Sequence, residues 1–152
     1  MGVMHRLVDR NEEFVSKFRH GDRTGAPAQH LALLTCMDAR IHLAPALGLD
    51  IGDANIIRNA GGRASDDAIR SLVISTELLG TNEIAVMHHT DCGMLKFTND
   101  DLRTKLSSER GVDASGVDFL PFPEVEQSVR DDVATITASP LVADGIEVTG
   151  WI

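Results

Sequence analysis

The 152-residue sequence contains no tyrosine, and its single tryptophan is Trp151. The aromatic platforms on which single-stranded nucleic acid stacks are therefore missing. Basic residues are scarce as well. Fourteen Lys and Arg stand against 23 Asp and Glu, a net charge of −9, and no basic block is long enough to follow a phosphate backbone. This argues against nucleic acid and against an anionic membrane surface as partners. Cysteine occurs only at Cys36 and Cys92, too few for a disulfide scaffold in a chain of this size, so reduced thiols are expected. No run of 18 apolar residues occurs, and the start, Met1 to Phe14, carries the acids Asp9, Glu12 and Glu13 where a signal peptide needs an apolar run. These absences point to a cytoplasmic protein without internal repeats or low-complexity tracts.

What is present suffices for one domain spanning residues 1–152, since 43% of the residues are hydrophobic. Three short apolar runs, Leu31 to Met37, Ala54 to Arg58 and Glu83 to His88, follow turn signals and have the near-continuous character of parallel strands buried on both faces. Between the second and third lies a helix with Ser65 as N-cap, Asp66 and Asp67 in its first turn, and Gly80 as terminator. A short helix is expected over Ile41 to Leu47, limited by Pro45, and longer ones over Asn99 to Arg110 and over Glu124 to Ser139, stopped by Pro140. Asp9 to Phe18 reads as an amphipathic N-terminal helix with Phe14, Val15 and Phe18 on its apolar side. A loop is expected within Leu106 to Pro123, and Ile146 to Ile152 alternates like a strand that ends abruptly. The fold class is α/β, a mainly parallel central sheet flanked by helices.

In such a sheet the carboxyl ends of all strands open on one rim, where ligand sites form. The first strand ends in Cys36-Met37-Asp38-Ala39-Arg40, and the third in His88-His89-Thr90-Asp91-Cys92. Cys36, His89 and Cys92 can converge there as two thiolates and an imidazole, a zinc donor set that leaves a fourth position open. Asp38, two residues past Cys36, is placed to accept a hydrogen bond from a metal-held hydroxide while Arg40 holds it, or to bind the metal once Arg40 lets go. Each residue also has an ordinary reading. A strand-end cysteine is commonly a small buried hydrophobe, His88 or His89 a packing or surface residue, and Asp38 with Arg40 a plain ion pair. Arg58-Asn59-Ala60-Gly61-Gly62 is either a turn needing positive φ or a backbone cradle for a small anion. His42 is a candidate proton carrier, and His5, His20 and His30 read as surface residues.

Taken together, Cys36-Met37-Asp38-Ala39-Arg40, Arg58-Asn59-Ala60-Gly61, Ser65-Asp66-Asp67 with Arg70-Ser71, and His89-Thr90-Asp91-Cys92-Gly93-Met94 resemble the β-class carbonic anhydrases, closely from about Leu31 to Phe97. The resemblance implies a zinc enzyme that hydrates carbon dioxide reversibly to bicarbonate and a proton through a zinc-bound hydroxide, with activity rising with pH. It implies Cys36, His89 and Cys92 as zinc ligands, Asp38 and Arg40 as the catalytic dyad with Asp38 as conditional fourth ligand, and Gly61 near bound substrate through its backbone. It also implies a homodimer or tetramer in which the N-terminal helix, about residues 9–20, packs on the partner subunit. Ala39 stands where the family more often has serine. With Leu33 three residues before Cys36 and no tyrosine, the self-inhibition by bicarbonate found in some bacterial members is not expected. The final run is shorter than the family's last strand. Rival readings are a carbonyl sulfide or carbon disulfide hydrolase of the same family, a non-catalytic zinc module with Asp38 as permanent ligand, and a thiol redox protein, which lacks a C-x-x-C pair.

Overall fold

The computed structural model describes residues 2–152. Four strands, β1 (Leu31–Cys36), β2 (Ala54–Asn59), β3 (Glu83–Met87) and β4 (Glu147–Trp151), form one sheet of order β2-β1-β3-β4 in which every pairing is parallel. Parallel neighbours need crossovers, and helices supply them. α2 (Leu43–Leu47) joins β1 to β2, α3 (Asp66–Leu79) joins β2 to β3, and α4 (Asn99–Arg110) and α5 (Val125–Thr137) lie between β3 and β4. The strand that closes the chain pairs with all five residues of β3, from Glu83 with Glu147 to Met87 with Trp151.

The helix boundaries follow local chemistry. The Ser65 hydroxyl accepts a hydrogen bond from the Ala68 N–H at the start of α3, and Gly80 ends it at φ 75°. Thr98 and Asp101 form a reciprocal capping box before α4, and Gly111 ends that helix at φ 63°. α2 begins at Leu43 rather than Ile41, which leaves Pro45 within the first turn, where a missing N–H costs nothing.

The core lies on one face of the sheet. Ala32 and Leu34 of β1 and Ile84 and Val86 of β3 pack against Ala68 and Leu72 of α3 and Ile136 of α5. On the other face burial is incomplete, contrary to the expectation of strands covered on both sides. β1 is buried almost throughout, but Ile56 of β2 is 45% exposed and Trp151 of β4 is 60% exposed. Leu31, Leu33, Ala85, Met87 and Trp151 there line a groove of about 410 Å³, bordered by Leu47 at the end of α2 and Leu49 just after it.

The N-terminal helix α1 (Val3–Lys17) starts six residues before the expected Asp9 and buries none of its side chains. Met4, Leu7, Val8, Phe14 and Val15 form a continuous exposed stripe along it.

Candidate metal centre

Register brings the predicted residues together. Thr35 of β1 pairs with Met87 of β3, so Cys36 and the His88-His89 step leave the sheet side by side. A turn at Thr90-Asp91 then brings Cys92 back to them, and a short 3₁₀ turn, Gly93–Leu95, follows it. Cys36 Sγ lies 3.9 Å from Cys92 Sγ, and one donor atom each from Cys36, His89 and Cys92 fall within 4.8 Å of one another. Two sulfurs at about 2.3 Å from one tetrahedral ion stand about 3.8 Å apart, whereas a disulfide needs about 2.05 Å. The observed spacing is that of two thiols facing a common point. His89 Nε2 adds a second mark: it is buried and has no hydrogen-bond partner, a costly state for an imidazole unless a Lewis acid takes the lone pair. Both cysteines are buried and His89 half-buried. Burial, reinforced by the nearby Cys36 thiol, pushes the Cys92 thiol above the usual range.

Asp38 stands at the mouth of this cluster. Its Oδ1 accepts from the Arg40 main-chain N–H at 2.9 Å and from Nε at 3.0 Å, and its Oδ2 accepts from Nη2 at 2.7 Å. The same Oδ2 lies 3.9 Å from His89 Nε2. The Arg40 guanidinium first, and its main-chain N–H second, hold the Asp38 carboxyl far below the usual carboxylate range. The carboxylate in turn raises Arg40. The loop that carries the pair is clamped from β2: Arg58 donates to the carbonyls of Cys36 at 3.0 Å, Asp38 at 2.7 Å and Ile41 at 3.4 Å. Arg58 is thus engaged with main chain, a role that its residue type does not announce.

The glycine turn after β2 closes the site from a third side. A Cβ on Gly62 would sit 3.0 Å from both Cys36 N and Thr35 C, and one on Gly61 would sit 2.9 Å from Met94 Cγ, at φ 72° and 82° respectively. Only glycine fits this approach. Met94 and Phe122 pack with the two cysteines, and Ile41, Leu95 and Phe97 surround them.

Behind the turn lies a polar network that sequence reasoning missed. Buried His88 is bonded through Nδ1 to Ser128 Oγ at 2.7 Å and through Nε2 to Gly62 O at 3.2 Å, and Nε2 also meets Asp132 Oδ2 at 3.2 Å. Arg63 Nε donates to the same carboxylate at 2.7 Å. Burial works against the Asp132 charge, but the bonds from His88 and Arg63 outweigh it and lower its pKa. His88 is therefore a satisfied packing residue. His42 is exposed at the head of α2, His5 and His30 are exposed, and His20 packs at the surface beside Phe18.

Fold and site together define an α/β protein with a group of two cysteines and a histidine able to hold a metal at the carboxyl rim of a parallel sheet. Comparison with known proteins makes that class specific. The family model for carbonic anhydrase matches residues 31–115. The chain is 38% identical over 154 residues to β-carbonic anhydrase 1 of Mycobacterium tuberculosis, covering 100% of this chain and 92% of that one. It superposes on the crystal structure of carbonic anhydrase from Streptococcus mutans with a TM-score of 0.92 at 48% identity, covering 99% of this chain and 90% of the other. It is also 47% identical over 94 residues to a carbon disulfide hydrolase of Saccharolobus solfataricus, covering 62% of this chain and 46% of that relative. The chain belongs to the β-carbonic anhydrase family. Zinc is the metal of that family, and the spacing of the thiols and the unpartnered His89 Nε2 suit it.

Proposed function

We propose that this protein catalyses the zinc-dependent, reversible hydration of carbon dioxide to bicarbonate and a proton, with residues 1–152 acting as a single catalytic domain. The observation that carries the reading is the cluster of Cys36, His89 and Cys92 beside an Asp38 carboxylate turned onto Arg40. Cys36, His89 and Cys92 hold the zinc, and three protein donors are the pattern of a catalytic rather than a structural site. When bound, zinc supplies a Lewis acid that brings the pKa of a water toward neutrality. Two thiolates offset its charge, so that acidification is weaker than among three neutral imidazoles, and activity rises toward alkaline pH.

The chain's own residues supply direction. Arg40 keeps Asp38 ionised, so Asp38 accepts a hydrogen bond from the attacking water species without taking its proton, and turns the lone pair toward the substrate carbon. Gly61 lies near substrate through its main chain. Ile41, Met94 and Phe122 pack around the two cysteines and make the surroundings of the site apolar, which suits a linear molecule without a net dipole. Were Arg40 to release it, Asp38 would be a fourth residue able to hold the zinc.

A second reading, hydrolysis of carbon disulfide or carbonyl sulfide, is supported by the similarity to carbon disulfide hydrolases, since the same site accepts any linear apolar electrophile of fitting size. One experiment separates the readings: stopped-flow hydration of carbon dioxide beside sulfide release from carbonyl sulfide and carbon disulfide, with Cys36→Ser and Asp38→Ala as controls. Hydration that both substitutions abolish supports the proposal. Sulfide release without hydration favours the second reading, and zinc-loaded protein inactive on all three substrates would be a non-catalytic zinc module.

For partners, the exposed stripe on α1 fits a second copy of the chain, giving a homodimer or tetramer. No helix among the described residues is long and apolar enough to cross a membrane. With two reduced thiols at the site, the reading places the protein in the cytoplasm.

A further inference from the structure

Arg40 does more than pair with Asp38. Its Nε and Nη2 face Asp38, while Nη1 donates to Asp91 Oδ2 at 3.1 Å and Nη2 also to the Asp91 main-chain carbonyl at 3.2 Å. Asp91 sits between His89 and Cys92, so one guanidinium ties the loop after β1 to the loop after β3. Asp91 also has φ 54°, in the left-handed region that Asp and Asn tolerate better than other side chains. That conformation lets it present carboxylate and carbonyl to the same fork. Lys96 Nζ meets the other carboxylate oxygen at 2.8 Å and fixes it from outside. The Arg40 side chain is 62% exposed, and an arginine so open to solvent has many rotamers available unless it is held.

We propose that Asp91 is a positioning residue for the reaction: by anchoring Arg40 to the loop that carries His89 and Cys92, it keeps Asp38 turned away from the metal. This rests on the reading of Asp38 and Arg40 given above. Without Asp91 the guanidinium is free to follow Asp38 as it rotates, and a larger share of molecules has the carboxylate in the fourth position.

The test is thiocyanate binding to the full-length cobalt-substituted protein at one fixed pH, followed by visible absorption. The anion competes with Asp38 for one position, so its apparent Kd grows as the open fraction falls. Asp91→Gly keeps the left-handed backbone and removes the carboxylate, and Asp91→Asn leaves an oxygen for Nη1. The expected result is thiocyanate binding weakened in Asp91→Gly by up to roughly threefold, the scale of an exposed ion pair, and largely recovered in Asp91→Asn. In an Asp38→Ala background, Asp91→Gly should then have no effect. The sign is diagnostic, because deleting a negative charge near the metal would, through the field alone, tighten anion binding. Unchanged or tighter binding in Asp91→Gly overturns the proposal, as does a loss that persists in the Asp38→Ala background. Failure of the functional reading shows separately, as zinc-loaded wild type that does not hydrate carbon dioxide.

Discussion

Replacing Asp38 with alanine removes the carboxylate that Arg40 holds 3.9 Å from His89 Nε2 while leaving the three donors in place. The expected outcome in stopped-flow hydration is a fall in kcat of about 10²-fold or more with zinc content unchanged, since on the proposed reading the three donors suffice to hold the metal and Asp38 orients the reactants. Cys36→Ser should lose both. The thiols make a further prediction. Burial raises Cys92, so without metal it is protonated at neutral pH, and zinc binding has to expel thiol protons. Calorimetric titration with zinc in two buffers of different ionisation enthalpy should report proton release at pH 7, and zinc affinity should fall as pH is lowered. Affinity independent of pH would mean that the thiols are not ligands. At this scale the candidate site was legible, because Cys36, Asp38, Arg40, His89 and Cys92 sit at strand ends that a parallel sheet must bring to one rim. Asp91 lay inside the same motif, but its hold on Arg40 depends on a left-handed φ that side-chain type alone does not announce.

Elements behave as their caps dictate. α3 was readable to the residue because Ser65 and Gly80 mark its ends locally, and α4 spans the expected Asn99–Arg110, with Thr98, Asp101 and Gly111 as the caps the structure adds. The α5 contribution was not readable: Asp132 meets Arg63 across 69 positions and only the packing of α5 brings them together. This network predicts a pH-dependent stability. Asp132 is lowered in the folded state, so its stabilisation is present above the unfolded carboxylate pKa of about 4 and is lost as pH falls through the lower folded value. Asp132→Ala should cost about 3–5 kcal/mol at pH 7, leaving the part-buried Arg63 guanidinium without its carboxylate, and the difference from wild type should shrink in denaturant titrations below about pH 4. A constant difference would exclude the carboxylate as its source. The turn between β2 and α3 predicts a second effect. Gly62→Ala forces a Cβ to 3.0 Å of the β1 backbone at Cys36, so thermal stability and zinc retention should drop together.

Across the whole molecule, the open sheet face and the exposed α1 stripe are the parts that one chain does not satisfy. The start of α1 at Val3 was missed because the charged residues around His5 and Asp9 mask an apolar stripe that already runs through Met4, Leu7 and Val8. Since no α1 side chain is buried within its own chain, deleting residues 1–18 should leave the remaining domain folded while lowering the mass found by light scattering to that of a monomer. Unchanged mass would place the interface elsewhere. The account as a whole requires one zinc, held by Cys36, His89 and Cys92, to carry the activity. Metal-free protein titrated with zinc while carbon dioxide hydration is followed by stopped flow tests this most directly. Activity should rise linearly and break at one zinc per chain, with no such rise in Cys36→Ser. A fully loaded protein without hydration, or a Cys36→Ser titration that matches the wild type, would contradict it.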